Sequence, residues 1–490
     1  MQAMRTTEIC DYLIAGTGFA GLCAAIKLKQ AGERSFLLLE KAQEIGGTWR
    51  DNVYPGCACD IPSHLYSLSF EPKTDWSRMY PTQPEILAYL RDVAARHDLG
   101  KQTRFGAKLQ EAVWDERREI WRVTCEDGRS FEGRILFSAM GPLHIPHIPR
   151  IEGQESFAGK TFHSAYWDYS KTLGGKNVAV IGTGASAIQF IPQIAPQVAQ
   201  LTVFQRTPPW ILPKPDYAFT DAHKRRFRLP WLRDLFRKRL FWTHEIRAFG
   251  FLGNRAVTAA GEKMARAHLV AQVPDPALRA RLMPDYTIGC KRVLISNDYF
   301  PAMSRDNVEL VSDGIARIEP HGIIDTRGIL HPAEIIIYGT GFHTTDSFSA
   351  VRIAGRGGVE LNQAFAAGMH AHWGITVPGF PNLFFLLGPN TGLGHNSVIL
   401  MIEAQMRYVM SLLAQMKQRG WQTAEVKPEA ESAWNDSIQR KLGRSVWTTG
   451  GCKSWYLDEN GRNTTIWPGL VAEYQFKTRR ARIADFSPVA

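Results

Sequence analysis

No run of this sequence reaches the ~18 consecutive apolar residues that a membrane-crossing helix needs, so no integral membrane segment is expected. The first eight residues, M-Q-A-M-R-T-T-E, lack the apolar core of a signal peptide. Cysteine is sparse, with seven residues at positions 10, 23, 57, 59, 125, 290 and 452. An odd number at irregular spacing argues against a disulfide framework and for a reducing compartment, so a cytoplasmic protein is expected. No C-x-x-C occurs, which disfavours dithiol redox chemistry. Cys57 and Cys59 form C-x-C with no second Cys or His pair nearby, so no metal site is expected. No nucleic-acid module is readable either. The net charge of +11 comes from basic residues spread along the chain, and anionic dinucleotides account for some of them. Low-complexity segments are missing as well.

What the chain does have is glycine at telling intervals. At ~150 residues per domain, 490 residues allow about three units with sizeable cores. Residues 8–15 (E-I-C-D-Y-L-I-A) read as a buried strand, followed by Gly16-Thr17-Gly18-Phe19-Ala20-Gly21, a full G-x-G-x-x-G. A helical run ending at Gly32 comes next, then a second strand, S-F-L-L-L-E, closing on Glu40. Glycines at these places let the backbone approach a pyrophosphate lying on the helix N-terminus. Glu40, twenty-four positions after Gly16, is placed to accept from ribose hydroxyls. The alternative is a tight strand-to-helix turn without a ligand.

A second unit repeats the arrangement. Strand N-V-A-V-I leads into Gly182-Thr183-Gly184-Ala185-Ser186-Ala187, with alanine in the third position. Strand L-T-V-F-Q-R ends at Arg206, again twenty-four positions after the first glycine. A guanidinium there suits a 2′-phosphate, so this unit is expected to take NADP rather than NAD.

Between and beyond the two turns lie further segments. Residues 46–60, G-G-T-W-R-D-N-V-Y-P-G-C-A-C-D, offer a tight backbone path at Gly46-Gly47, and Trp49 and Tyr54 as walls for a flat ring. An amphipathic helix is expected over 84–98 and short strands over 105–138. The proline-rich P-L-H-I-P-H-I-P after Gly141 reads as a linker. Residues 216–285 break the α/β rhythm with the basic, aromatic run R-R-F-R-L-P-W-L-R-D-L-F-R-K-R-L-F-W. One reading of that run is an interfacial membrane helix; the preferred one is a helical insertion that packs its aromatics on the core and solvates its arginines. Residues 388–398, G-P-N-T-G-L-G-H-N-S-V, supply a glycine-rich backbone and a helix start.

Three segments carry a resemblance. Residues 157–168, F-A-G-K-T-F-H-S-A-Y-W-D, fit F-x-G-x-x-x-H-x-x-x-W-[P/D] through Phe157, Gly159, His163, Trp167 and Asp168. The 46–60 loop fits [A/G]-G-x-W-x-x-x-x-[F/Y]-P-G-x-x-x-D, including Gly47, Thr48, Trp49 and Asp60. Residues 289–300, G-C-K-R-V-L-I-S-N-D-Y-F, hold an adjacent Lys291-Arg292 before an aromatic doublet. Together they resemble type I Baeyer–Villiger monooxygenases, and the resemblance spans nearly the whole chain. Gly339-Thr340-Gly341-Phe342 is similar to that family's A-T-G-F re-entry motif, with glycine for alanine and His343 where an acid is common. Lys453-Ser454-Trp455-Tyr456 is similar to its S-W-[Y/I] segment.

The resemblance implies an α/β fold with two Rossmann-like domains, an FAD-binding one over 1–145 and 330–490 and an inserted NADP-binding one over 150–329, with the helical insertion at about 216–285. It implies FAD and NADPH as cofactors, with a ketone and dioxygen converted to an ester or lactone through a C4a-peroxyflavin. Arg292 is then the active-site cation, Asp60 its carboxylate partner, Lys291 a phosphate ligand, Tyr66 a flavin contact and Trp455 a cover over the nicotinamide side. Arginine suits the demand for a fixed cation beside an oxygen anion, because it stays charged and offers several donors. A heteroatom-oxidising flavin monooxygenase shares the glycine turns but has no need of the Arg292 and Asp60 pair. A pyridine nucleotide disulfide reductase is disfavoured by the missing C-x-x-C, and a non-enzymatic nucleotide-binding regulator has no use for Lys291-Arg292.

Overall fold

The computed structural model describes residues 7–344 and 348–489. Residues 1–6, most of the segment in which no leader is read, lie outside it. Two sheets, one mixed and one parallel, organise the chain. In the larger, Glu8–Ala15 runs between Phe36–Leu39 and Ser130–Ser138, with Ala15 level with both Leu39 and Ser138. The antiparallel strands Leu109–Asp115 and Ile120–Cys125 extend it on one side, and Thr103–Arg104 on the other. Two strands from far along the chain, Arg352–Ala354 and Leu383–Phe385, join the same sheet. The larger sheet is thus built from both ends of the sequence.

The smaller sheet is wholly parallel, in the order Val308–Val311, Gln200–Phe204, Asn177–Ile181, Ile335–Tyr338, Lys160–His163. Its central strands are runs of Val, Ile, Leu and Ala buried on both faces, as parallel strands under helices must be. Ile335–Tyr338 corrects the expected boundary at 330. All four residues are buried between Asn177–Ile181 and Lys160–His163, so the chain returns to the larger sheet only after Tyr338. The hydrophobic run itself could not say which sheet would claim it.

The two crossings between sheets run side by side. The expected linker meets the re-entry segment through His147 N–H to the Gly341 carbonyl at 2.9 Å and His343 N–H to the Ile145 carbonyl at 2.9 Å. The imidazoles of His147 and His343 lie 4.9 Å apart, which places position 343 in this hinge. The long helix Val398–Arg419 starts on a Ser397 cap, ends at Gly420 in the left-handed region, and packs on helix Phe19–Gln30.

Residues 216–285 are largely helical, as expected, with Phe227, Phe236, Leu240 and Phe241 packed on the core and Arg225, Arg226, Arg228 and Arg239 exposed, but the central helix holds exceptions. Arg237 of helix Pro230–Glu245 points inward and donates to the Ser67 carbonyl at 3.1 Å and to the His64 carbonyl. Leu240 and His244 are buried beside it, while Trp231, Leu235 and Trp242 face solvent. The arginine takes the inner face because it gives the buried Ser67 carbonyl a donor and joins the Ser67 hydroxyl on the His64 carbonyl.

Candidate functional site

The two glycine turns are built alike. Gly16 has φ +108, and a Cβ there would lie 2.7 Å from the Ala139 carbonyl oxygen. Gly182 has φ +106, and a Cβ there would lie 2.5 Å from the Gly339 carbonyl oxygen. In each unit the turn is pinned beneath the residue that follows a neighbouring strand, and only glycine fits. Gly21 lets its helix rest on the turn, since a Cβ would stand 1.9 Å from the Gly16 oxygen. Ala187, fully buried, fills the equivalent place in the second unit.

Gly18 is different. A Cβ there would have only the Gly47 Cα nearby, at 3.8 Å, and Gly47 itself holds a left-handed φ of +52. The two glycines frame an open notch over the start of helix Phe19–Gln30. No side chain caps that helix, nor helix Ala187–Ile194, so no side chain competes there with an anionic ligand, although in the second helix Ile188 N–H and Gln189 N–H donate to the Gly184 and Ser186 carbonyls. Gly184 is likewise open: a Cβ there would meet nothing closer than the Gly339 carbonyl oxygen, at 4.0 Å. Both notches fit a dinucleotide pyrophosphate.

The strand ends set the two units apart. Glu40 is buried and accepts from Thr17 N–H at 3.1 Å and Ala42 N–H at 2.9 Å, and it pairs with Arg50 at 2.8 Å. Its carboxylate is therefore held in place by Arg50, a residue that sequence reasoning passes over. Arg206 stands exposed after Gln200–Phe204. It lies close enough to Lys291 that, after burial, its charge helps hold that ammonium below the usual lysine range. Two neighbouring cations of this kind attract an anion. Thr183 turns its hydroxyl toward the Thr207 carbonyl at 3.5 Å, and Ser186 sits half-buried at the helix start.

The 46–60 loop joins the halves. Thr48–Asp51 forms one helical turn, with the carbonyl of exposed Thr48 accepting from Asn52 N–H at 3.0 Å. Trp49 Nε1 donates to the Tyr66 hydroxyl at 3.2 Å, and the Tyr66 ring meets Phe19 edge-on at 5.3 Å. Tyr54, expected as a ring wall, instead donates to Gln189 Oε1 at 3.0 Å and meets Phe190 edge-on at 6.1 Å. Gln189 Nε2 returns a bond to the Ala58 carbonyl at 3.0 Å. Gln189 thus latches the loop to the second unit's helix, a role invisible in the sequence because its partners are over 130 residues away.

The 157–168 segment packs at the same joint. His163 is buried, its Nδ1 accepts from Ala165 N–H at 3.1 Å, and its ring lies 5.6 Å from Phe342. Burial pushes its pKa down to about 4, so it is neutral at ordinary pH. Trp167 lies against Phe162 and Phe190 at 5.3 and 5.2 Å. Gly159 passes under the Glu334 carbonyl, where a Cβ would stand at 2.2 Å. Asp168 accepts from Ser170 N–H at 2.9 Å and so shapes a turn.

Asp60 and Arg292 meet across the interface. Arg292 Nη2 donates to both Asp60 oxygens, at 2.8 and 2.6 Å, and Nε donates at 3.0 Å. The Asp60 charge raises the Arg292 pKa further against the opposing effect of burial, so the cation is permanent. Tyr456 is buried beside it. Burial pushes that phenol up to about 12, with the Arg292 charge working against the rise. Trp455 is 44% exposed; its ring lies 4.2 Å from Tyr456, and its carbonyl accepts from the Thr344 hydroxyl at 3.1 Å.

The cysteine expectation needs correction. Cys290, next to Lys291-Arg292, is disulfide-bonded to Cys452, three residues before Trp455. The partners are 162 residues apart, and only the fold brings them together, through Thr287 N–H to the Gly450 carbonyl at 3.0 Å. The other five cysteines are free and buried.

A family profile described as pyridine nucleotide-disulphide oxidoreductase matches residues 13–228, which contain both glycine turns. A Baeyer–Villiger monooxygenase of Pseudomonas aeruginosa is 47% identical over 473 residues, covering 96% of this chain and 90% of that protein. The chain belongs to the Baeyer–Villiger monooxygenases. A steroid monooxygenase solved in its oxidised form with NADP is similar at 31% identity and a TM-score of 0.88, over 98% of this chain and 99% of that one. The structure titled OTEMO complex with FAD and NADP is similar at 28% identity and a TM-score of 0.87, over 98% of this chain and all of the other. For this Baeyer–Villiger monooxygenase, the sequence motifs name the candidate ligand-holding residues. What they omit is the internal scaffolding: Arg50 on Glu40, Gln189 on the loop, and the Cys290–Cys452 strap.

Proposed function

We propose that this Baeyer–Villiger monooxygenase uses NADPH and dioxygen to convert ketones to esters or lactones. FAD is assigned to Gly16, Gly18, Gly21, Glu40, Gly47, Thr48, Trp49 and Tyr66, and NADPH to Gly182, Thr183, Gly184, Ser186, Ala187, Arg206 and Lys291. Bound there, FAD and NADPH supply the hydride and the activated oxygen. The chain's own part is positional and electrostatic. The observation that carries the reading is the Arg292 guanidinium, fixed on Asp60 by bonds to both carboxylate oxygens.

Such a cation has N–H groups to offer wherever negative charge develops on the ketone oxygen, and it cannot lose its proton to the anion it stabilises. Asp60 fixes the guanidinium plane, so little reorganisation is needed when that charge appears. The Lys291 and Arg206 pair gives the nicotinamide cofactor's 2′-phosphate two cations and leaves Arg292 for the reacting oxygen. The test is an NADPH-oxidation assay with and without a panel of linear, cyclic and aryl ketones and sulfides, with products identified by mass. Ketone-dependent ester formation is expected. Sulfoxides from the sulfides with no ester from any ketone would assign the chain to heteroatom oxidation instead.

A further inference from the structure

Helix Pro230–Glu245 and the turn after it present an apolar face outward. Trp231, Leu235, Trp242 and Ile246 are 65, 59, 55 and 61% exposed, and they recur at one- and two-turn spacings, which puts them on one stripe. Phe249, 48% exposed, continues it. An ordered stripe of this kind differs from the scattered apolar residues normal on a protein surface.

The orientation is enforced from the other side. Arg237 is tied to the His64 and Ser67 carbonyls, and Glu245 is buried. The Glu245 carboxylate accepts from Asn396 Nδ2 at 2.8 Å, His395 Nε2 at 3.3 Å and Ala472 N–H at 3.1 Å. Rolling the helix to hide its tryptophans would strip these buried groups of their partners, which costs far more than exposing the stripe. The outward face is thus a fixed product of the fold.

Along this segment the exposed charge is mostly positive. Arg225, Arg226, Arg228, Lys238, Arg239 and Arg247 are exposed, and Asp234 is the only exposed acid from 225 to 255. We propose that this face docks on an anionic phospholipid surface, with Trp231, Leu235, Trp242 and Ile246 entering the headgroup boundary and the arginines and lysine on lipid phosphates. Tryptophan rings suit that boundary, and long basic side chains reach along an apolar surface while keeping their charge in water. A second copy of the chain is a poorer occupant, because it would bring the same cations to the contact and each chain carries a net +11. The helix lies on the surface, since no helix among the described residues is long and apolar enough to cross a membrane.

The purified full-length protein is to be sedimented with phosphatidylcholine vesicles and with vesicles containing about 30% phosphatidylglycerol, at about 0.1 M and about 0.5 M salt. Binding to the anionic vesicles at least about tenfold above the zwitterionic ones, and weakened by salt, is expected. Lys238→Glu with Arg239→Glu, and separately Trp231→Ser with Trp242→Ser, should each remove that binding. These positions are exposed, so the far-UV spectrum and NADPH oxidation without vesicles should stay unchanged. Equal binding to both vesicle types, no binding to either, or variants that bind like the parent would overturn the proposal. A dimer in sedimentation velocity that the tryptophan variant splits into monomers would give the face to a second copy and overturn it equally.

Discussion

The first and second glycine turns share one backbone design and end on opposite charges. Both put a left-handed glycine under a neighbouring carbonyl, at Ala139 and at Gly339, and both leave a helix N-terminus uncapped. Their difference lies twenty-four positions on, at buried Glu40 and exposed Arg206. Glu40 is braced by Arg50 and two backbone donors, as a buried polar group must be. Arg206 has the like-charged Lys291 for a neighbour, an arrangement that favours an anion between them. On the proposed assignment, each turn takes a dinucleotide and the strand end selects which.

That comparison is open to attack, first at the glycines. Gly16→Ala should lose FAD while sparing NADP binding, and Gly182→Ala the reverse, because each adds a side chain at positive φ and against a backbone carbonyl. Flavin absorbance after purification and titration with NADP read the two sites separately. If each variant lost both ligands, the turns would not be independent.

Arg206→Ala comes next. A charge-assisted bond is worth ~1.5–3 kcal/mol, so KM for NADPH should rise about 10- to 100-fold with little change for NADH. Equal effects on the two cofactors would place Arg206 away from the 2′-phosphate. Gly18→Ala should be gentler on the fold than Gly16→Ala, since its Cβ meets only Gly47 Cα at 3.8 Å. Its melting temperature should match the parent's while its flavin affinity falls. An unchanged affinity would show that the notch does not hold the pyrophosphate.

The turns are legible in the sequence because their demands are local: a φ that only glycine adopts readily and a Cβ that has no room. The Asp60 and Arg292 pair is reachable only through resemblance, since 232 residues separate the two. Three features are out of reach. Gln189 looks like any helix glutamine until the 46–60 loop docks on it. Helix Pro230–Glu245 has aromatics on more than one side, so its pattern cannot decide which side the core takes. Cys290 and Cys452 escape because spacing arguments weigh the number of cysteines and not where the fold puts them.

The smallest expected effect concerns that strap. Cys452→Ser should leave flavin and NADPH binding intact and slow turnover by a few-fold, because the Arg292 segment is also held by Asp60 and by the Thr287 to Gly450 bond. The check is kcat in oxidised and reduced buffers. The parent should shift toward the variant when reduced, and an identical rate for all three would make the bond structurally idle.

The central claim is that the cation delivered by one half, on the carboxylate of the other, directs oxygen into the ketone. The most direct test counts ester and hydrogen peroxide formed per NADPH consumed in the parent, Arg292→Ala and Asp60→Ala, all with full flavin occupancy. The parent should yield close to one ester per NADPH. Arg292→Ala should form ester about 10²–10³ times more slowly, with its residual NADPH oxidation ending in peroxide. Asp60→Ala should fall between, since the cation remains but is no longer oriented. Ester from Arg292→Ala at the parent's rate and yield would contradict the account.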